Sequence, residues 1–257
     1  NFFGTITFSR VRGALQGFPL NLPQNIATII AQICTFNGAL PQGAPTSPAL
    51  SNLIARKMDA ELTRFCIDYD IHYSRYSDDM VFSSKGARRI SAAVEYDNVA
   101  LSYRATPAIS KIIEKNGFVI NPLKTKLMLP RDKQLVVGLV CNKKVNIQRR
   151  YIRSIRTLLH LASKNIISCK EAYDSWGKTN IGNVASGIRG KIEYVRSIKG
   201  SNDSVFVSLA EKFNEIFPNE KKLDFTVSSK IKHDNAIAKK YSFCNFFIVN
   251  MEQLKIL

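Results

Sequence analysis

Residues 75–83 read RYSDDMVFS and set two adjacent carboxylates, Asp78 and Asp79, between two short runs of strand-forming residues. Like charges side by side repel, and Asp is a common turn former, so a solvated hairpin turn is one reading. The other is a divalent-cation site, where a metal converts the repulsion into attraction. The surrounding chain bears on the choice. Residues 71–84 read as strand, tight turn and strand, with the pair at the turn. Upstream, LPQGAPTSP (residues 40–48) leads into a helix whose Leu50, Ile54, Met58, Leu62 and Cys66 recur every four residues and fall near one face. Before that, 24–36 (QNIATIIAQICTF) reads as a helix with an apolar stripe and 2–8 (FFGTITF) as a strand. Downstream, 91–115 reads as helical in parts with a break at Pro107, and Asn116-Gly117 turns the chain into FVIN. Strand, helix, helix, hairpin, helix, strand is, apart from the doubled helix, a split β-α-β order. It predicts an α+β, ferredoxin-like layer with helices on one face of an antiparallel sheet.

The bulk of the chain narrows the chemistry. At 257 residues, 45% hydrophobic, it can bury one large or two modest cores. With 37 Lys and Arg against 20 Asp and Glu, the formal charge is +17 and the pI near 9.8. Such an excess attracts a polyanion, and nucleic acid is the first candidate; solubility alone or an anionic membrane surface are the other readings. No apolar run is long enough to span a bilayer and no signal peptide opens the chain, so neither a membrane nor secretion is expected. Cys34, Cys66, Cys141, Cys169 and Cys244 lack CxxC spacing and read as reduced, buried thiols of a cytoplasmic protein. His72, His160 and His233 form no ligand cluster in sequence. Because Asn1 opens directly into what reads as strand interior, further sequence is expected upstream.

Residues 135–148 (LVVGLVCNKKVNIQ) read as a hairpin with Asn142-Lys143-Lys144 near its turn. The helix RRYIRSIRTLLHLASK follows at 149–164, with Ile152, Ile155, Leu158, Leu159 and Ala162 on one face and Arg149, Arg153 and Arg156 toward the other. Those arginines read either as a solvated face or as phosphate contacts. Further helical stretches run over 167–177, 183–198 and 205–217, and the end of the chain is Lys-rich, then apolar (FCNFFIVN), with no readable motif.

An aromatic-x-Asp-Asp turn after LPQGAPTSPALSNL resembles the reverse transcriptase family, over most of residues 1–200. The wording LPQGAPTSP and RYxDD is closer to the bacterial retron-type branch, with its antiphage relatives, than to the retroviral one. The resemblance implies an RNA-directed DNA polymerase that transfers nucleotides with two Mg²⁺ ions, Mn²⁺ being an alternative. Its partners would be an RNA template, a DNA or RNA primer, deoxynucleotides, a structured non-coding RNA and an effector protein. It implies a palm with its primer-grip hairpin at 1–148, a helical thumb at 149–217, an extension at 218–257, and a fingers segment upstream.

It also implies residue roles. Asp78 is the stronger metal ligand and Asp79 the weaker, both catalytic, with Tyr76 and Ser77 beside the primer terminus. Gln42 and Gly43 lie at the nascent base pair, where an amide edge and a bare backbone suit close approach; Ser47 reads as the N-cap of the next helix. Lys124, in NPLKTK, approaches the triphosphate, with a plain surface lysine as the alternative. Gly138 belongs to the primer grip, although Val136-Val137-Gly138 departs from the retron wording Val-Thr-Gly. The family's remaining catalytic Asp precedes an aromatic pair in the form Asp-x-x-x-Phe-Phe. Aligning Phe2 and Phe3 with that pair puts the Asp just upstream of Asn1 and Phe3 beneath the incoming ribose. Three other readings stay open: an inactive palm that scaffolds RNA, a template-independent polymerase primed on a protein hydroxyl, and, more weakly, a group II intron maturase.

Overall fold

The computed structural model describes residues 2–85, 87–164, 171, 173, 184–224 and 245–253. By contact the chain divides into two units, Asn1–Asp132 with Phe243–Leu257, and Lys133–Ser242.

In the first unit, helices α1 (Phe2–Thr5), α2 (Phe8–Gln16), α3 (Gln24–Cys34) and α4 (Thr46–Asp68) precede strands β1 (His72–Tyr76) and β2 (Asp79–Ser84). After them come α5 (Ala87–Ile90), β3 (Val94–Asp97), β4 (Ser102–Ala105), α6 (Pro107–Lys115) and β5 (Phe118–Met128). The main sheet is antiparallel in the order β1-β2-β9-β5, where β9 is Asn245–Gln253. Strand alternation sends Met80 and Phe82 of β2 to one face. There they join Phe247, Val249 and Phe118 and pack with Met58 and Leu62 of α4 and Ile109 and Ile113 of α6. Each such side chain fully withdrawn from water contributes about 1.5–3 kcal/mol. On α4 the four-residue repeat does what its spacing predicts: Leu50, Met58, Leu62 and Cys66 are buried and Ile54 is half-buried. Burial pushes the Cys66 thiol up to about 12.

Four expectations are corrected. FFGTITF is not a strand: its β-prone composition yields to helical turns, where Ile6 N–H donates to the Phe3 carbonyl and Thr5 Oγ1 to the Phe2 carbonyl. Residues 94–105 are a hairpin, not helix, its loop tied by Asp97 Oδ1 accepting from the N–H groups of Val99 and Ala100. Pro107 starts α6 and does not break a helix, in keeping with a ring that needs no N–H at the first turn. FCNFFIVN, in which no motif was legible, contributes its residues 245–250 to the interior strand β9. The Asn116-Gly117 turn stands as expected, with Gly117 at φ +73.

The second unit begins with three short antiparallel strands, β6 (Leu135–Val136), β7 (Leu139–Val140) and β8 (Asn146–Ile147). Helices α7 (Arg149–Lys164), α8 (Val184–Lys199) and α9 (Ser204–Ile216) follow. Their core includes Ile155, Leu158, Ile188, Ile192, Phe206, Leu209 and Phe213, and Asp203 caps α9 by accepting from Val205 N–H. Ile147 is buried in this core, and the hairpin strands β6 to β8 belong to the second unit, which begins at Lys133. The expected helix over 167–177 lies outside the described residues except Glu171 and Tyr173, as does the Lys-rich segment 225–244.

Candidate active site

The register of the first hairpin sets Tyr76 opposite Asp79 and leaves Ser77-Asp78 as a two-residue turn. Ser77 has φ +56 while Asp78 is not at positive φ, the pattern of a type II′ turn, in which the first position ordinarily takes Gly. Asp78 and Asp79 are half-buried, and Tyr76 is 68% exposed. Asp79 alternates with Met80, so its side chain leaves the sheet on the face opposite the α4 packing. Along that row, Asp79 pairs with Asn250 of β9 and Asn250 pairs with Asn121 of β5. Between Asn121 and Lys126 the pairing register shifts, and exposed Lys124 sits in this bulge. Two strand spacings separate Asp79 from Asn121, about 10 Å between backbones. The structure thus gathers the carboxylate turn and the Lys124 bulge on one sheet.

The sequence reading missed the residues that hold this turn. Arg75, on the same side of β1 as Tyr73, reaches α4, where its Nε donates to Asp59 Oδ1 at 2.8 Å and its Nη2 to Asp59 Oδ2 at 2.7 Å. Nη2 also reaches Asn52 Oδ1 at 3.1 Å, and Nη1 donates to the carbonyl of Ser77 at 2.9 Å. Tyr73 Oη donates to Asp59 Oδ1 at 2.7 Å. Burial, with the neighbouring Asp59 charge and its hydrogen bond adding to it, holds the Tyr73 phenol well above its usual range. Burial alone would lower the Arg75 pKa; the hydrogen bonds and charge of Asp59 outweigh it and the net shift is upward.

Before α4, Gln42 and Gly43 are exposed, and Gly43 adopts φ +91 with no atom crowding the place of a Cβ. Glycine is therefore required there by backbone conformation and not by close packing. Ser47 is not the N-cap: α4 begins at Thr46 with Pro45 in the cap position, and buried Ser47 donates from Oγ to the Pro41 carbonyl at 2.7 Å, closing the loop on itself. Phe2 is buried with its ring stacked on Phe118, and half-buried Phe3 meets Phe2 edge-on. Both pack against the same core, as residues of a helical turn and not of the strand expected over 2–8.

The second unit carries the remaining residues. Val137 and Gly138 form the two-residue turn between β6 and β7, at φ +46 and +82, and Gln148 Nε2 donates to the Gly138 carbonyl at 3.1 Å. Arg149, Arg153 and Arg156 are all exposed on α7, away from buried Ile155, Leu158 and Leu159. A cavity of about 890 Å³ in this unit is lined by Gly138, Gln148, Arg150, Tyr151, Lys191 and Tyr194 among others.

Among the described residues no three His, Cys, Asp or Glu side chains gather as a metal-binding group. Asp78 and Asp79 supply two hard carboxylates at one turn. That donor set suits Mg²⁺, which keeps waters and takes its other ligands from substrate phosphates more readily than from a protein cage.

Residues 17–166 match the sequence profile of the family described as reverse transcriptase (RNA-dependent DNA polymerase). The matched segment includes the Gln42-Gly43 loop, the carboxylate turn, Lys124, Gly138 and the α7 arginines, but not Phe2 or Phe3. Among curated proteins, the retron Ec86 reverse transcriptase of Escherichia coli is 32% identical over 161 residues, covering 62% of this chain and 46% of the relative. The retron Mx65 reverse transcriptase of Myxococcus xanthus is 27% identical, over 64% of this chain and 40% of its own length. The retron Ec83 reverse transcriptase of Escherichia coli is 29% identical, over 60% and 51%. The chain thus spans about half the length of the curated relatives it matches. The paired carboxylates at 78 and 79 and the blocks in order around them stand where this shared sequence runs, and the chain belongs to the reverse transcriptase family, among its retron-type members.

Proposed function

We propose that this chain carries the nucleotidyl-transfer centre of an RNA-directed DNA polymerase of the retron type. The observation that carries the reading is the tight hairpin that sets Asp78 in its two-residue turn and Asp79 at the start of β2, within the segment that matches the family. Rigid support is what in-line displacement at a phosphate demands, because misplacement of a reacting group by 1 Å costs about a hundredfold in rate. Bound Mg²⁺ supplies charge toward the attacking and leaving oxygens. Asp78, and less strongly Asp79, hold that charge at the turn, with Mn²⁺ an alternative ion. Tyr76 and Ser77 lie against the primer terminus, Gln42 and Gly43 against the nascent base pair, and Lys124 toward the triphosphate. Phe3 lies beneath the incoming sugar, a role that rests on resemblance alone. In the second unit Gly138 touches the primer, and Arg149, Arg153 and Arg156 touch backbone phosphates. In this reading the first unit is the palm and the second the thumb. A structured non-coding RNA and an effector protein complete the partners, and antiphage defence is the biological setting.

Asp78→Asn in the full-length protein tests the reading. The amide keeps the turn but removes charge from the metal site, so primer extension on an RNA template should fall by several orders of magnitude. Template–primer binding and thermal stability should stay near wild type. Extension by Asp78→Asn at the wild-type rate overturns the assignment. Untemplated extension by the wild-type protein would replace it with the protein-primed reading, and a wild-type protein that binds RNA without extending any primer would replace it with the scaffold.

A further inference from the structure

We infer that Arg75 and Asp59 are positioning residues that fix the Ser77-Asp78 turn and so aim the Asp78 carboxylate. The inference rests on the proposed role of Asp78 and adds to it a device that holds the turn in place. Ser77 holds a positive φ without being glycine, which costs an L residue about 1–2 kcal/mol. Left to local preference, the turn would relax to other conformations. What opposes this is the bond from Arg75 Nη1 to the Ser77 carbonyl, 2.9 Å long. That carbonyl and the Asp78 N–H share one planar peptide unit, so fixing the oxygen fixes the direction in which the chain enters Asp78.

The donor is itself immobilised. Arg75 is 5% exposed at its side chain, and its guanidinium lies across both oxygens of Asp59 in a two-point fork. A planar fork leaves its remaining nitrogen no freedom of direction, which a lysine ammonium on a flexible stem does not reproduce. Asp59 is fixed in turn by the Tyr73 hydroxyl and by its place on α4, next to Met58 in the core. The path runs from the packed helix through one acid and one guanidinium to a single carbonyl of the turn.

The test uses the full-length enzyme with Arg75→Lys, and with Tyr73→Phe as a milder variant that removes one hydroxyl and no charge. Two readouts are needed: steady-state primer extension, and hydrogen exchange of the amides at 77–80. The expected result for Arg75→Lys is a kcat lowered by about 10- to 100-fold. KM for template–primer should change little, Mg²⁺ half-saturation should rise, and exchange should quicken at 77–80 while the buried stretch of α4 stays protected. Tyr73→Phe should move the same quantities in the same direction by less. Unchanged kcat and unchanged exchange at 77–80 in Arg75→Lys overturn the inference. So does exchange that quickens equally through α4 and β2 with kcat falling only as the folded fraction falls, since that is a merely structural role. Should Arg75→Lys not fold, the same two outcomes are read from Tyr73→Phe. A wild-type enzyme that extends no primer overturns the polymerase reading instead, and the exchange at 77–80 still decides whether the clamp orders the turn.

Discussion

Among the described residues, two hairpins turn on two residues with a non-glycine residue at positive φ, and they are secured differently. At Ser77-Asp78 the flanking strands are five and six residues long, and a nearly buried Arg75 reaches from β1 to α4 and back to the turn. At Val137-Gly138 the strands are two residues each, and an exposed bond from Gln148 ties the Gly138 carbonyl. A β-branched residue at positive φ is the greater local offence, because both its γ carbons crowd the backbone. Yet the heavier restraint sits on the first turn. Between these two turns, then, the charged restraint does not follow the local strain.

The contrast can be broken from either end. Asp59→Ala, which leaves the Arg75 charge and the Tyr73 hydroxyl without their shared acceptor, should cost about 2–3 kcal/mol in urea unfolding. Gln148→Ala, which removes one exposed neutral bond, should cost about 0.5 kcal/mol. Equal costs would dissolve the distinction between the turns. Next in size is Val137→Asn, which supplies the residue that a turn with two positive φ values prefers. It should raise stability by up to about 1 kcal/mol, and a lower melting temperature would show that Val137 makes contacts that outweigh its strain. Smallest in stability is the replacement of Arg149, Arg153 and Arg156 together by Gln, since all three are exposed and the apolar face of α7 is untouched. Its effect should appear instead in template–primer binding, as a shallower dependence on salt by about 0.9 in log–log slope per lost phosphate contact. An unchanged slope returns these arginines to the role of a solvated face.

What was legible in the sequence was legible for a reason. Helix α4 and helix α7 are long enough for periodicity to speak, and the carboxylate turn and Asn116-Gly117 carry residues that turn chemistry favours. The failures share a cause as well. FFGTITF has the composition of a strand, but side-chain-to-backbone bonds such as Thr5 to Phe2 compete locally and win. VEYD and SYRA are four residues each, too short for alternation to separate them from helix. Residues 245–250 (NFFIVN) are strand, and Phe246 to Val249 within them are all buried, so alternation is absent by construction. The Asp59–Arg75 pair left one trace: Arg75 stands two residues after Tyr73 in a strand, on the side that faces the helices. A cation there needs an acid, and Asp59 follows Met58 of the apolar stripe.

Helix α4 has 23 residues. At 1.5 Å per residue, its start beside the Gln42-Gly43 loop lies about 20 Å along the axis from the turn that carries Asp59. A continuous helix curves little over that span, so the loop and the acid are joined by one stiff element. That acid is the one to which Arg75, itself bonded to the Ser77 carbonyl of the carboxylate turn, is hydrogen-bonded.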